Sequence, residues 1–248
     1  MDQAPSPPDF VTRADGVRLA YRYSPGDGPA ILFLPGYMSD MQGGKAQAVE
    51  AWARANGRAM LRLDYSGCGE SGGDFADGSF TVWRDDVVTI LAAVVTGPVL
   101  LIGSSMGGWL MLLLALALGD RVTGMIGIAA APDFTNWGYS EAQKRTLLEQ
   151  GVVYEDNPYG PEPTPTYRKL FEDGQSQLML GATIAIDCPV RLLHGQCDAD
   201  VPFDISLQLA AALRSSDVQI MLVKDGDHRL SRDQDIDLLL NILSQMPA

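Results

Sequence analysis

The chain has 248 residues, of which 46% are hydrophobic and 8% aromatic, enough to form a sizeable core in a single α/β domain. Its formal net charge is −13, from 18 Lys and Arg against 31 Asp and Glu. A charge of this sign repels phosphate backbones and anionic membrane surfaces. The composition therefore disfavours nucleic acid as a partner, leaves small molecules as candidate partners and leaves the oligomeric state open.

The initial segment, MDQAPSPPDFVTRADG, has no apolar run behind a basic head, so a secretory signal is not expected. The apolar run 110–118 is too short for a bilayer, which needs about 20 such residues, so no integral membrane segment is predicted. The three cysteines, Cys68, Cys188 and Cys197, form no CxxC pair and leave one unpaired in any disulfide scheme. These features favour a reducing compartment, and we expect a cytoplasmic protein.

Strand-like and helix-like segments alternate along the chain. FVTRADGVRLAYRY predicts two strands joined at Asp15-Gly16, a dipeptide that suits a tight hairpin turn. Short apolar runs then indicate strands buried on both faces of a parallel sheet, at 30–35, 59–64, 99–103, 124–131, 190–195 and 218–223. Between and after them, helices are predicted at 45–57, 82–95, 106–119, 202–214 and 232–246.

This alternation predicts an α/β fold, a mostly parallel central sheet with helices on both faces. Such a sheet binds ligands beyond the carboxyl ends of its strands. Segment 133–184 interrupts the alternation, and an insertion of this length is usually functional or disordered. Because SEAQKRTLLEQG and YRKLFEDGQSQLML look helical, we expect one domain, 1–248, with an ordered helical lid at about 133–184. The alternative is an additional helical layer that takes no part in binding.

Residues 103–107, Gly-Ser-Ser-Met-Gly, match the pattern G-x-S-x-G with Ser105 at its centre. The pattern follows an apolar strand and precedes a helix, which is the context of a nucleophile elbow. Small flanking residues are needed because a serine at so sharp a turn has strained backbone angles and crowded neighbours. The N–H of Met106, at the start of the helix, would face the oxyanion formed when Ser105 attacks an acyl carbonyl.

A serine hydroxyl needs a base to take its proton, and the chain has two histidines. His228, in a polar loop after the last strand, is the preferred base because it follows the serine and any acid in chain order. His194, at a strand end, is interpreted as a hydrogen-bonded structural residue. Asp198 is the preferred acid, just past a strand end, with Asp200 and Asp133 as competitors.

A second oxyanion donor is expected in the loop after the first parallel strand, within LFLPGYMSDMQGGK. Gly36 lets the backbone turn close to the nucleophile, and the N–H of Tyr37 is the expected donor. The alternative is a plain Pro-Gly turn.

Six segments together carry a family resemblance: LPGYMSDMQGGKA, LDYSGCGESGG, WRDDV, GSSMGGWLM, CPVRLLHGQCDADVP and DHRLS. Over nearly its whole length the chain resembles the α/β-hydrolase family, and more narrowly its mitochondrial palmitoyl-protein thioesterases and acyl-glucuronide esterases. The resemblance implies Ser105 as nucleophile, Asp198 as acid and His228 as base, with Tyr37 and Met106 near the oxyanion. The insertion and the absence of a recognisable targeting leader depart from that mitochondrial subgroup.

These inferences predict a serine hydrolase that cleaves carboxylic esters or thioesters through an acyl-enzyme. The net charge disfavours a polyanionic acyl-CoA and favours neutral esters, acylated cysteine or a singly charged conjugate. No metal cluster or dinucleotide-binding pattern is found, and this chemistry needs no cofactor. The alternatives are a peptidase or amide hydrolase with the same triad and a non-catalytic binding module on the same fold.

The acyl chain is expected to lie under the lid against apolar and aromatic side chains. Trp109 could equally belong to the helix core, as the leucines that follow it do. The predicted substrate-binding residues are Trp109, Phe134, Trp137, Tyr139 and Leu178.

Overall fold

The structure is a computed structural model, and it describes residues 7–157 and 160–247. The first six residues, on which the expectation of no secretory signal partly rests, lie outside the described residues. The strands are β1 (Asp9–Thr12), β2 (Arg18–Ser24), β3 (Asp27–Leu34), β4 (Arg58–Leu63), β5 (Val99–Ser104), β6 (Val122–Ile128), β7 (Val152–Glu155), β8 (Thr164–Tyr167), β9 (Val190–Gly195) and β10 (Val218–Val223).

Eight of the strands in the described ranges form one sheet, in the order β1-β2-β4-β3-β5-β6-β9-β10. The hairpin β1–β2 is antiparallel, and β2 runs antiparallel to β4. From β4 to β10 every neighbouring pair is parallel. The predicted α/β class and mostly parallel sheet are confirmed, and the carboxyl ends of the parallel strands meet at one edge.

Helices cover both faces of this sheet because successive side chains of a strand point to opposite sides. The helices are α1 (Gly44–Ala55), α2 (Phe80–Val94), α3 (Met106–Leu118), α4 (Phe134–Trp137), α5 (Glu141–Gln150), α6 (Arg168–Ser176), α7 (Asp204–Ala212) and α8 (Asp233–Ser244). In β3, Ile31 belongs to the apolar cluster under α1 and α8, whereas Leu32 belongs to the larger cluster under α2, α3 and α7.

The insertion, residues 133–184, contains α4, α5 and α6 together with an antiparallel hairpin, β7–β8. An all-helical insertion was predicted, so the hairpin is a correction. Each of its strands has four residues, too few for an alternating pattern to stand out, and Pro165 lies inside β8. Proline is tolerated there because both strands of a two-stranded ribbon are edge strands.

The turn between β5 and α3 is possible because two positions in it lack a side chain. A Cβ on Gly103 would lie 2.7 Å from the Cα of Gly108, and a Cβ on Gly107 would collide with the carbonyl oxygens of Leu34 and Pro35 at the end of β3. A real Cβ atom cannot approach backbone atoms this closely. The backbones of β3, β5 and α3 therefore pack more tightly here than residues with a side chain would allow.

Gly107→Ala is expected to lower the free energy of unfolding by about 1 to 3 kcal/mol, because the backbone of β3 must move to admit the methyl group. Gly97→Ala is the matched control, since a Cβ there meets nothing within 4 Å. Its effect should stay within about 0.5 kcal/mol. Urea denaturation of both variants measures the difference, and equal midpoints would contradict the packing described for the turn.

Candidate active site

Ser105 lies at the bend between β5 and α3 with φ 54° and ψ −121°, a conformation that is strained for a residue with a side chain. The backbone is held there by hydrogen bonds. The N–H of Ser105 donates to the carbonyl of Ile128 at 2.9 Å, and its carbonyl accepts from Gly108 at 2.8 Å and Ala131 at 3.1 Å. These bonds direct the hydroxyl away from the sheet, toward the carboxyl ends of the strands.

Three side chains from distant parts of the chain meet at this edge. The Nε2 atom of His228, in the loop after β10, lies 3.0 Å from the Oγ of Ser105. The Nδ1 atom of the same ring lies 2.8 Å from Oδ2 of Asp198, in the loop after β9. The structure thus brings together the predicted nucleophile, base and acid in one hydrogen-bonded series, and their catalytic roles stay a prediction.

The side chain of Asp198 is fully buried and saturated with donors. Its Oδ1 accepts from the backbone N–H groups of Asp200 at 2.9 Å and Val201 at 2.8 Å. Burial alone would raise the pKa of this carboxyl, but hydrogen bonds from His194 and His228 outweigh it and hold the pKa well below its usual range. Asp198 is therefore an anion at neutral pH, hydrogen-bonded to the ring of His228.

The competing candidates take other positions. Asp133 accepts three hydrogen bonds from the backbone N–H groups of Met179 and Leu180, so it anchors the end of the insertion. Asp200 is exposed and contributes its backbone N–H to Asp198. His194 is fully buried and lies on the far side of Asp198, with its ring bonded to Ser206 and Val201.

The predicted oxyanion donors, Tyr37 and Met106, both lie on the wall of the cavity that holds Ser105. A Cβ on Gly36 would lie 3.4 Å from the Cβ of Ser105, which shows how closely the loop after β3 approaches Ser105. Two buried groups that sequence analysis missed hold this loop. Tyr65 donates to the carbonyl of Pro35 at 3.1 Å, and Asp64 accepts from the N–H of Met41 at 2.7 Å.

The sequence signal for Asp64 and Tyr65 was their position, directly after β4 and at the same edge of the sheet as Ser105. Sequence analysis interpreted the segment LDYSGCGESGG through family resemblance alone. Asp64 also accepts from the N–H of Glu70 at 2.8 Å, and burial raises its pKa. A carboxyl group with two backbone donors fixes the relative positions of two loops. A sequence pattern does not distinguish such a carboxyl group from one that is exposed to solvent.

The side chain of Tyr37 connects the loop after β3 to the insertion. Its hydroxyl donates to the carbonyl of Pro165 in β8 at 2.7 Å. Its ring centre lies 5.2 Å from that of Phe75 and 6.4 Å from that of Phe134. The residue predicted to donate to an oxyanion through its backbone is therefore fixed through its side chain by the insertion.

The cavity has a volume of about 750 Å³, within the range of small-molecule sites. Phe134, Trp137 and Tyr139 line it, and their binding of substrate stays a prediction. Trp109 and Leu178 lie elsewhere, which corrects that part of the prediction. Trp109 is fully buried because α3 is apolar on every side, and its ring packs 4.1 Å from that of Phe80. Leu178, beyond α6, is 42% exposed on the surface.

The polar end of the cavity carries charges of both signs. Lys45, in the first turn of α1, donates from Nζ to the carbonyl of Arg229, the residue after His228. Burial, with Arg229 nearby, lowers the pKa of Lys45 to about 8. The acidic residues in the cavity wall are Asp40, Glu155, Asp156 and Asp200.

Asp198, Asp200 and His228 offer carboxylate and imidazole atoms that lie within 4.8 Å of one another, the spacing of a metal site. Two of the three are already hydrogen-bonded to each other, and Asp198 has a donor on every side. These contacts suit a proton relay, because a cation would have to replace the hydrogen bond between His228 and Asp198. That the chemistry needs no metal or cofactor stays a prediction.

Comparison with known proteins places the chain in a family. The model of the alpha/beta hydrolase family matches residues 31–241, and the chain belongs to this family, as the resemblance implied. The chain is 41% identical to "Palmitoyl-protein thioesterase ABHD10, mitochondrial" of Mus musculus, over 93% of this chain and 79% of the mouse protein.

Two solved structures are similar over almost the whole chain. A putative hydrolase from Agrobacterium vitis S4 superposes with a TM-score of 0.90 at 37% identity, covering 97% of this chain and 98% of that one. Alpha/beta hydrolase domain-containing protein 10 from mouse superposes with a TM-score of 0.89 at 38% identity, covering 96% and 97%. The predicted hydrolase class is confirmed.

The expected cytoplasmic location is wrong. The mouse relative and four further mammalian relatives at 36 to 41% identity are named as mitochondrial proteins. The expectation rested on the cysteine pattern and the initial segment, and neither feature distinguishes the cytosol from other compartments that keep thiols reduced. None of the helices in the described part of the chain is long and apolar enough to cross a bilayer.

Lys45→Met is expected to change how stability depends on pH. The pKa of Lys45 falls from its ordinary value of 10.5 to about 8 on folding, so the folded state binds this proton less tightly than the unfolded state. Below about pH 8 the folded protein must keep Lys45 protonated in a buried position, which lowers the unfolding free energy. As pH rises from about 8 to 10.5, Lys45 loses its proton in the folded state first, and the unfolding free energy rises. Between pH 7.5 and 10.5, the unfolding free energy of the unsubstituted protein should rise relative to Lys45→Met by about 1 to 3 kcal/mol.

Urea denaturation of both proteins across that pH range measures the difference in unfolding free energy. The effects of ionisable groups common to both proteins cancel in this difference. Lys224→Met, at an exposed position, controls for the loss of a surface charge. If the difference in unfolding free energy between the unsubstituted protein and Lys45→Met does not change with pH, burial does not lower the pKa of Lys45.

Proposed function

We propose that this chain hydrolyses carboxylic esters or thioesters of acyl groups, with Ser105, His228 and Asp198 as nucleophile, base and acid. One observation carries the proposal: the hydrogen-bonded series from Ser105 Oγ to His228 Nε2, at 3.0 Å, and from His228 Nδ1 to Asp198 Oδ2, at 2.8 Å. A serine hydroxyl within reach of an imidazole, itself oriented by a carboxylate, is the arrangement that activates a weak nucleophile.

In the acylation step, Nε2 of His228 takes the hydroxyl proton as Oγ of Ser105 attacks the acyl carbonyl carbon. The carbonyl oxygen becomes an oxyanion, which the backbone N–H groups of Tyr37 and Met106 stabilise. The imidazolium, paired with Asp198, then gives its proton to the leaving oxygen or sulfur. The carbon–oxygen or carbon–sulfur bond breaks, and an ester between Ser105 and the acyl group remains.

In the second step, water takes the place of the leaving group. Nε2 of His228 accepts a proton from the water as its oxygen attacks the acyl-enzyme, and returns this proton to Oγ of Ser105 as the acid departs. The two steps use the same base and the same oxyanion donors, so a single arrangement of side chains serves both.

We also propose that the insertion, 133–184, acts as a lid over the acyl group. Phe134, Trp137 and Tyr139 on the insertion and Tyr37 on the main domain line the same cavity as Ser105. Apolar walls bind an acyl chain through its buried area and exclude water from the carbonyl during attack.

The similarity to proteins named as palmitoyl-protein thioesterases favours an acylated protein cysteine as substrate. An acyl-glucuronide-esterase-like activity fits the same site, since a singly charged leaving group faces a smaller electrostatic penalty than acyl-CoA. The peptidase alternative uses the same triad against a poorer leaving group, and the non-catalytic alternative would need a serine that does not react.

Ser105→Ala is expected to lower kcat/KM for a p-nitrophenyl acyl ester by about 10³-fold or more, because the attacking atom is lost. Ser104→Ala is the matched control, since Ser104 is adjacent in sequence and lines the same cavity. It should retain activity and remain labelled by a fluorophosphonate probe, which forms a covalent bond with an activated serine. Retained turnover in Ser105→Ala, or absence of labelling in the unsubstituted protein, would overturn the proposal.

Matched substrates distinguish an esterase or thioesterase from an amide hydrolase. With one acyl group presented as p-nitrophenyl ester, alkyl thioester and p-nitroanilide, we expect turnover of the first two and slower turnover of the anilide, whose amine is the poorest leaving group. Varying the acyl chain from short to long in the ester and thioester series then maps the length of the cavity. Anilide turnover equal to ester turnover would support the peptidase alternative instead.

A further inference from the structure

A second imidazole contacts the carboxylate of Asp198. His194, in β9, is fully buried, and its Nε2 lies 3.1 Å from Oδ2 of Asp198 and 3.0 Å from the carbonyl oxygen of Val201. Its Nδ1 lies 2.7 Å from Oγ of Ser206, in α7. The reaction described above does not use this residue, although it touches the acid that the reaction depends on.

The partners of His194 determine which of its nitrogens carries hydrogen. Both neighbours of Nε2, the carboxylate of Asp198 and the carbonyl of Val201, are acceptors, so Nε2 must be the donor. In a neutral ring Nδ1 then accepts, and the hydroxyl of Ser206 donates to it. In this tautomer the single hydrogen on Nε2 is shared between two acceptors, the carbonyl of Val201 at 3.0 Å and Oδ2 of Asp198 at 3.1 Å.

The contacts of Asp198 show what this donor does. An ionised carboxylate accepts about four hydrogen bonds, and all four positions here are occupied. Two backbone N–H groups, from Asp200 and Val201, bind Oδ1. The two imidazoles bind Oδ2, His228 at 2.8 Å and His194 at 3.1 Å. The base and His194 therefore share one oxygen atom.

We propose that His194 is a positioning residue that acts through Asp198, orienting its carboxylate so that Oδ2 faces His228 and reducing the negative charge that this oxygen presents to the base. The proposal rests on the roles of Ser105, His228 and Asp198 proposed above. A donor on Oδ2 weakens the hold of the carboxylate on the imidazolium, which then releases its proton more readily to the leaving group.

Loss of the donor has two predicted effects. The carboxylate can turn about its terminal torsion, so kcat falls by about 10- to 100-fold because a loosely held catalytic group reacts poorly. The full charge of Oδ2 also acts on His228, so the imidazolium is favoured and the acid limb of the kcat/KM profile moves to higher pH, by about half a unit or more. KM should change little, because His194 does not line the cavity.

The variants His194→Leu and His194→Gln separate positioning from packing. Leucine fills the site without a donor, whereas the amide N–H of glutamine can reach Oδ2 as Nε2 of histidine does. Full pH profiles and thermal midpoints of the full chain are measured for both, with a p-nitrophenyl ester as substrate. We expect the loss of kcat and the shifted acid limb in His194→Leu, and recovery of most of both in His194→Gln.

The other charged groups near His228 are the same in every variant, so a shift reports the donor on Asp198. They are Asp200, Asp227, Arg229 and Lys45. A lower thermal midpoint in His194→Leu with kcat and the acid limb unchanged would overturn the proposal, as would equal impairment of both variants. If His194→Leu does not fold, Ser206→Ala, which removes the donor to Nδ1, should shift the acid limb in the same direction, and an unchanged limb would be decisive against the proposal.

A measurement that does not depend on turnover tests the role of His194 separately from the proposed function. The chain has only two histidines, so NMR of protein labelled with ¹⁵N-histidine reports two rings, assigned through His194→Gln. We expect His194 with hydrogen on Nε2 and His228 with hydrogen on Nδ1. Hydrogen on Nδ1 of His194 would refute the proposal even in an active enzyme, whereas an unreactive Ser105 beside the expected tautomer would refute only the proposed function.

Discussion

The close approach of three backbone segments at the end of β5 is the constraint on which the site depends. Gly103 and Gly107 let β3, β5 and α3 meet with no side chain between them, and this contact holds Ser105 at a positive φ. Its hydroxyl can then leave the plane of the sheet and reach an imidazole that the chain supplies 123 residues later. The same contact places the end of β3, and so the loop that carries Tyr37, beside Ser105.

A second constraint lies on the opposite side of the imidazole. Asp198 loses its hydration on burial, and four donors replace that hydration with fixed dipoles and N–H groups. A buried charge is tolerated only with such compensation. Two of the donors come from its own loop and one from β9, so the carboxylate of Asp198 is held by adjacent backbone and by a buried side chain of the sheet.

The insertion is joined to this frame at two places. Asp133 binds the backbone at Met179 and Leu180, which closes the insertion on itself near its two ends. Tyr37 binds β8 through Pro165, so the expected oxyanion loop and the insertion share a hydrogen bond. A shift of the hairpin would therefore move the loop of the proposed oxyanion site through the Tyr37 side chain, as well as changing the cavity wall.

Much of this was determined by sequence. The alternation of apolar runs predicted the sheet and its helices, and the glycine pattern around Ser105 predicted the bend, because both depend on neighbours in the chain. Sequence mistook Trp109 and Leu178 for cavity residues and missed the β7–β8 hairpin and the contact between His194 and Asp198. Only tertiary structure decided those points: which side of α3 faces the core, and which groups surround Asp198, are set by contacts between segments far apart, and a local pattern carries no information about them.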